Sequence, residues 1–161
     1  MIQGANSGVH EFIMRLPLVP RTPKEAAEQD FAASTEQPLS ILVVDDNHDA
    51  VDSLVAVLET FGHKVFSAYG GEAAVQRASR GDIEVALVDI GMPTVDGFQV
   101  AERISSTSSA NQPLLVAVTG WGDKADRTRS KEAGFAYHLT KPVDIDALAS
   151  LLATAARRKQ H

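Results

Sequence analysis

From residue 39 onward, apolar runs of four to six residues alternate with stretches whose apolar residues return every third or fourth position. Runs of the first kind suit buried parallel strands, and spacing of the second kind suits amphipathic helices. Ile41-Leu42-Val43-Val44 opens the series. Residues 49–61 then set Val51, Leu54, Val55, Leu58 and Phe61 at helical spacing, with Gly62 where a C-cap belongs. A second strand is predicted over 64–68 and a helix over 72–79, stopped by Gly81. A third strand is predicted over 84–89. A helix follows over 98–105, with Val100, Ala101 and Ile104 on one side. The fourth strand covers 114–119, the next helix 124–133, closed by Gly134, and a short fifth strand 136–139. Asp144 caps a last helix whose buried stripe is Ala147, Leu148, Leu151 and Leu152.

Five strand–helix units between residues 39 and 157 imply a parallel sheet covered on both faces. Right-handed crossovers leave few topologies. The expected architecture is α/β, a flavodoxin-like (βα)5 doubly wound sheet with strand order 2-1-3-4-5.

Residues 1–38 break the pattern. Residues 10–18 (HEFIMRLPL) are mostly apolar and long enough for one strand, which needs a partner to bury its face. Pro20, Pro23 and Pro38 lie among Glu, Gln, Ala, Ser and Thr in the composition of a linker, with a brief helix at 24–33.

Composition narrows the function. The net charge of −6 and the lack of a basic stripe argue against a nucleic-acid binder. The absence of cysteine excludes disulfides and thiolate metal sites, and it fits a reducing, cytoplasmic setting. No apolar run approaches the roughly 18 residues of a membrane span, so no membrane contact is expected. No signal peptide is apparent.

Chemistry concentrates where strands end. Asp89 closes the third strand and is followed by Ile90-Gly91-Met92-Pro93. An aspartate there either caps a turn or serves a site, because ligands bind at the carboxyl ends of strands in open α/β sheets. The same edge collects Asp45 and Asp46 after strand one, Thr119 after strand four and Lys141 after strand five. Clustered carboxylates must protonate or recruit a cation. An oxygen-only donor set favours a hard ion, Mg²⁺ or Mn²⁺. A carboxylate nucleophile, a divalent ion, a hydroxyl and a lysine are the parts that phosphoryl transfer to an aspartate needs.

Four motifs now stand in order: Val44-Asp45-Asp46-Asn47, Asp89 through Asp96-Gly97, Val118-Thr119-Gly120, and Leu139-Thr140-Lys141-Pro142. Over residues 39–157 they resemble the receiver domain of two-component response regulators, leaving 158–161 as a tail. The resemblance implies that Asp89 is the phosphoacceptor and that Thr119 and Lys141 bind phosphoryl oxygens. It implies that Asp46, Asp89 and the Gly91 carbonyl ligate Mg²⁺, with Asp45 assisting through water. It also implies a cis Lys141–Pro142 bond and a histidine kinase or histidine phosphotransfer protein as partner. His138 stands where the family usually has a Tyr or Phe rotamer switch, so it is either a switch with Thr119 or a plain strand histidine. Trp121 and the run from Phe135 to Asp144 look most like receivers at the C-terminus of hybrid histidine kinases. Residues 11–18 resemble the last strand of such a kinase's ATP-binding domain, or are linker or vector sequence. The nucleotide-binding boxes of that domain are absent, so the chain itself is not expected to bind ATP or act as an enzyme on another substrate.

Other readings fit less well. A single-domain response regulator is the alternative within the family. An aspartyl-phosphate hydrolase of the haloacid dehalogenase type expects Asp-x-Asp, and Asp89-Ile90-Gly91 lacks the second acid. A flavodoxin needs a Ser/Thr-rich phosphate loop where residues 45–49 (DDNHD) would repel phosphate. A pure interaction domain would not need the acid–Thr–Lys set. The sequence leaves the oligomeric state open.

Overall fold

The computed structural model describes residues 37–107, 111–120 and 124–159, with side chains throughout except at 124–127 and 159. The expectations for 10–18, 24–33 and Trp121 lie outside these residues. The elements are β1 (Ser40–Val44), α1 (His48–Thr60), β2 (Lys64–Ala68), α2 (Gly71–Ala78) and β3 (Val85–Asp89). Then come α3 (Gly97–Ser106), β4 (Leu114–Thr119), α4 (Lys124–Ala133), β5 (Tyr137–Thr140) and α5 (Ile145–Lys159). The sheet is parallel throughout, in the order β2-β1-β3-β4-β5. This is the expected flavodoxin-like order, and the ends of the elements from β1 to β5 fall within one residue of those expected, while α5 runs to Lys159, two residues into the stretch expected as a tail.

The central strands β1, β3 and β4 are buried on both faces because their side chains alternate between two cores, whereas the edge strands β2 and β5 keep exposed residues such as Lys64 and Thr140. Leu42, Val44, Ala86, Val88, Leu115 and Ala117 face a cluster with Phe98, Val100, Ala101 and Ile104 of α3. Ile41, Val43, Val85, Leu87, Val116 and Val118 face the other, with Val51 and Leu58 of α1 and Leu148 and Leu152 of α5.

Short polar side chains start the helices. The Asn47 side chain accepts from the Ala50 amide, Asp96 from Gln99, and Asp144 from both Asp146 and Ala147. One expectation is corrected. Ala147 is exposed, and the buried stripe of α5 begins one residue later at Leu148 and continues through Leu151, Leu152 and Ala156. Ala147 lies at the margin of that stripe, where a single methyl is too short to reach the sheet. No helix among the described residues is long and apolar enough to cross a membrane.

Candidate phosphoryl-transfer site

Strand register alone brings the expected residues together. Val44 pairs with Val88, so Asp45 and Asp89 emerge side by side. Asp89 pairs with Val118, and Thr119 with Thr140, so Thr119 and Lys141 follow on the neighbouring strands. The Lys141 amide donates to the Thr119 carbonyl at 2.7 Å, which ties the two strand ends. The Lys141–Pro142 bond is cis, as expected.

Asp45 and Asp89 are buried, and Asp46 is exposed. Their carboxylate oxygens lie within 4.8 Å of one another. The Lys141 ammonium lies 2.7 Å from Asp45 Oδ2 and 3.2 Å from Asp89 Oδ1. The Asn47 amide donates to Asp45 Oδ1 at 2.9 Å, and the Gly91 amide to Asp89 Oδ1 at 3.2 Å. Three carboxylates face one ammonium, which leaves two negative charges uncompensated within the cluster. The donor set is oxygen only and partly open to solvent through Asp46, which fits a hard divalent cation.

The electrostatics agree. Burial pushes the Asp89 carboxyl above its ordinary value, and the neighbouring Asp45 charge adds to the rise against the pull of the Gly91 amide and Lys141. Burial pulls the Lys141 ammonium down. Its hydrogen bond to Asp45 and the charges of Asp89 and Asp45 outweigh that and hold it above the ordinary lysine value. Lys141 therefore stays charged at neutral pH. The Asp89 carboxylate thus carries its charge at a cost that a nearby cation would offset.

His138 lies in β5, paired with Ala117, its ring centroid 6.4 Å from that of Phe135. Phe135 in turn meets Phe98 edge-on. The strand expected for His138 is present, and its ring joins an aromatic row rather than the acid cluster.

Two features escaped the sequence reading. The first is Gly97. A Cβ there would stand 2.3 Å from the Asp89 carbonyl oxygen and 2.8 Å from the Ile90 Cα. The first turn of α3 is seated directly on the backbone of Asp89, and only glycine allows it. The Asp96-Gly97 pair was visible as a motif, but its contact is made through tertiary packing. The second is an apolar cleft of about 350 Å³ between α1 (Ala50, Leu54, Val57) and the segment after Lys141 (Val143, Ile145). Asp45 and Lys141 also line it.

Comparison with known proteins places this geometry. Residues 41–153 match the family model of the response regulator receiver domain. PilH of Pseudomonas aeruginosa is 34% identical over 108 residues, which span 67% of this chain and 89% of PilH. The virulence sensor protein BvgS of Bordetella bronchiseptica is 30% identical over 154 residues, which span 90% of this chain but 12% of BvgS. A solved structure of the receiver domain of a Pseudomonas aeruginosa sensor histidine kinase, with a magnesium ion coordinated in its active site cleft, superposes with a TM-score of 0.68. It is 26% identical, over 74% of this chain and 98% of that one. A family match across most of the chain, on a five-stranded parallel sheet of order 2-1-3-4-5, shows that the chain belongs to the response regulator receiver domains of two-component signalling.

Proposed function

We propose that this receiver takes a phosphoryl group from a partner's phosphohistidine onto Asp89. The observation that carries the reading is the sharing of Lys141 between Asp45 and Asp89, with Asp46 completing the acid group. In the transfer, an Asp89 carboxylate oxygen forms the new O–P bond as the N–P bond of the phosphohistidine breaks. The bonding electron pair returns to the imidazole nitrogen. Lys141 neutralises one phosphoryl oxygen, and the Thr119 hydroxyl donates to another. Asp46, Asp89 and the Gly91 carbonyl would hold Mg²⁺, and Asp45 would assist it. When bound, the ion offsets charge on the acids and the phosphoryl oxygens. Thr119 and the residue at 138 carry the change onward as a switch. The chain catalyses only its own phosphorylation and dephosphorylation.

The test follows protein mass after incubation with phosphoramidate and Mg²⁺. One phosphoryl group is expected on the native chain and none on Asp89→Asn or in the presence of a chelator. Phosphorylation of Asp89→Asn to the same extent overturns the assignment.

The partner in this reading is a histidine kinase or histidine phosphotransfer protein, and the location is cytoplasmic. The cleft between α1 and the segment after Lys141 offers such a partner apolar contact beside Asp45 and Lys141. A place within a hybrid sensor kinase is supported by the BvgS similarity, which extends over 90% of this chain, well beyond residues 41–153. The alternative, a single-domain regulator, is supported by the match over most of PilH. The reading frame upstream of residue 1 separates them. Kinase nucleotide-binding boxes in frame favour the first, and their absence favours the second.

A further inference from the structure

Helix α4 has an unusual hold on the rest of the domain. Its ten residues, KADRTRSKEA, include no large apolar side chain. Within its described side chains, residues 128–133, Ser130 and Ala133 are buried. A helix with no large apolar side chain to anchor it is cheap to displace.

Arg129 supplies contacts of another kind. Its guanidinium lies 3.0 Å from Asp96 Oδ2, with its carbon 4.2 Å from the centre of the Phe98 ring. Asp96 divides its two oxygens, with Oδ1 capping α3 through the Gln99 amide and Oδ2 taking Arg129. Phe98 is buried and meets Phe135 edge-on at 6.3 Å. The planar cation thus sits on a buried ring while one of its nitrogens reaches the cap, a geometry that arginine suits and lysine does not.

The residue between Asp96 and Phe98 is Gly97, seated against the Asp89 carbonyl. Helix α4 itself begins five residues after Thr119. Arg129 therefore joins the two segments that leave the site, one from Asp89 and one from Thr119.

We propose that Arg129 is a positioning residue for phosphorylation. Through Asp96 and Phe98 it holds α4 against the start of α3, and this hold opposes the advance of Thr119 onto a phosphoryl group. The inference rests on the reading of Asp89 as acceptor. A contact that must loosen as Thr119 advances adds to the cost of that step, so its removal favours the advanced arrangement and with it phosphorylation.

The experiment compares the native chain with Arg129→Ala, Arg129→Lys, Asp96→Asn, Arg129→Ala/Asp96→Asn and Asp89→Asn. Phosphate uptake from phosphoramidate with Mg²⁺ is followed by mass across donor concentrations. Amide exchange in α4 is measured on the unphosphorylated, Mg²⁺-free protein. Asp96→Asn keeps an acceptor for the Gln99 amide while removing the charge, so it isolates the ion pair from the cap. Uptake about 5-fold faster is expected in Arg129→Ala, the equivalent of a coupling of about 1 kcal/mol, with a smaller gain in Asp96→Asn. The double variant should match Arg129→Ala, because Asp96→Asn removes only the ion pair that Arg129→Ala also removes. Arg129→Lys should fall between. Exchange in α4 should rise in the same order before any phosphoryl group is present. Native uptake in Arg129→Ala and Asp96→Asn, with a lowered melting temperature only, overturns the proposal and shows a merely structural arginine. Additive effects in the double variant overturn it as well. If Asp89→Asn still takes up phosphate, the acceptor reading fails instead, and the two failures stay distinct. Should Arg129→Ala not fold, Asp96→Asn and Arg129→Lys carry the test.

Discussion

Lys141 leans on Asp45, with its ammonium 2.7 Å from Asp45 Oδ2 and 3.2 Å from Asp89 Oδ1. It is one cation set between two buried acids. Removing one partner of a buried ion pair costs about 3–5 kcal/mol when the charge left behind has no compensation. Lys141 is about a third exposed, which lowers the figure. Lys141→Met is expected to cost about 1–3 kcal/mol in urea unfolding without divalent ions. Saturating Mg²⁺ should recover part of that loss by replacing the missing positive charge. Equal stability of native and variant chains without Mg²⁺ contradicts this account.

Asp89 gives the opposite sign. Its carboxyl is held above the ordinary 3.8 by burial first and by Asp45 second. A carboxylate whose folded pKa is raised weakens the fold at pH values above it, because the unfolded chain loses the proton more readily. Asp89→Asn can keep the Gly91 amide contact and removes the charge. It should stabilise the Mg²⁺-free protein at neutral pH by on the order of 1 kcal/mol. The advantage should shrink as pH falls through the raised folded value toward 3.8. A variant less stable than the native chain at pH 7 refutes the prediction.

Gly97 is a steric requirement. The neighbour a Cβ would meet at 2.3 Å is a backbone carbonyl, which cannot turn aside as a side chain can. Gly97→Ala is expected to cost about 3 kcal/mol or more, the upper range for overpacking. Gly120→Ala is the control, because among the described residues nothing lies within 4 Å of its added Cβ. Comparable losses at the two positions count against the packing argument.

Sequence carried the architecture because the central strands are buried on both faces. Ile41 to Val44 and Val85 to Val88 are unbroken apolar runs, and the glycines after the helices mark their ends. It carried the acid cluster too, since Asp45 and Asp89 each follow such a run and parallel register does the rest. What stayed hidden depends on contacts between elements distant in the chain. Nothing near Gly97 announces that α3 rests on Asp89, and nothing near Arg129 points to Asp96, 33 residues away. Ala147 was misplaced for a related reason. Helical spacing gives a face, while its edge depends on how far each side chain reaches.

The last prediction concerns the opposite edge of the sheet. There His63 Nδ1 accepts the Leu39 amide at 3.2 Å, and the Leu39 carbonyl accepts the Lys64 amide at 2.9 Å. Ser40, next in line, donates its amide to Glu84. The entry into β1 is thus held on one side by a histidine acting as acceptor. A protonated imidazole has no acceptor nitrogen, so this bond requires the neutral ring. Burial lowers the His63 pKa below its ordinary 6.5, in the direction the bond also demands. A lowered folded pKa means that the contribution to stability is complete above 6.5 and is lost as pH falls through the folded value. His63→Gln retains an acceptor oxygen and does not titrate. The melting temperature of the native chain should therefore fall more steeply than that of His63→Gln once the pH drops below 6.5. Above pH 7.5 or so the two curves should run parallel, because His63 is neutral in both folded and unfolded chains. Hydrogen exchange at the Leu39 amide gives a local reading of the same event. It should quicken on acidification, relative to amides in β3, in the native chain and not in the variant. Parallel melting curves down to pH 5 show that His63 does not hold the entry to β1 through its neutral ring.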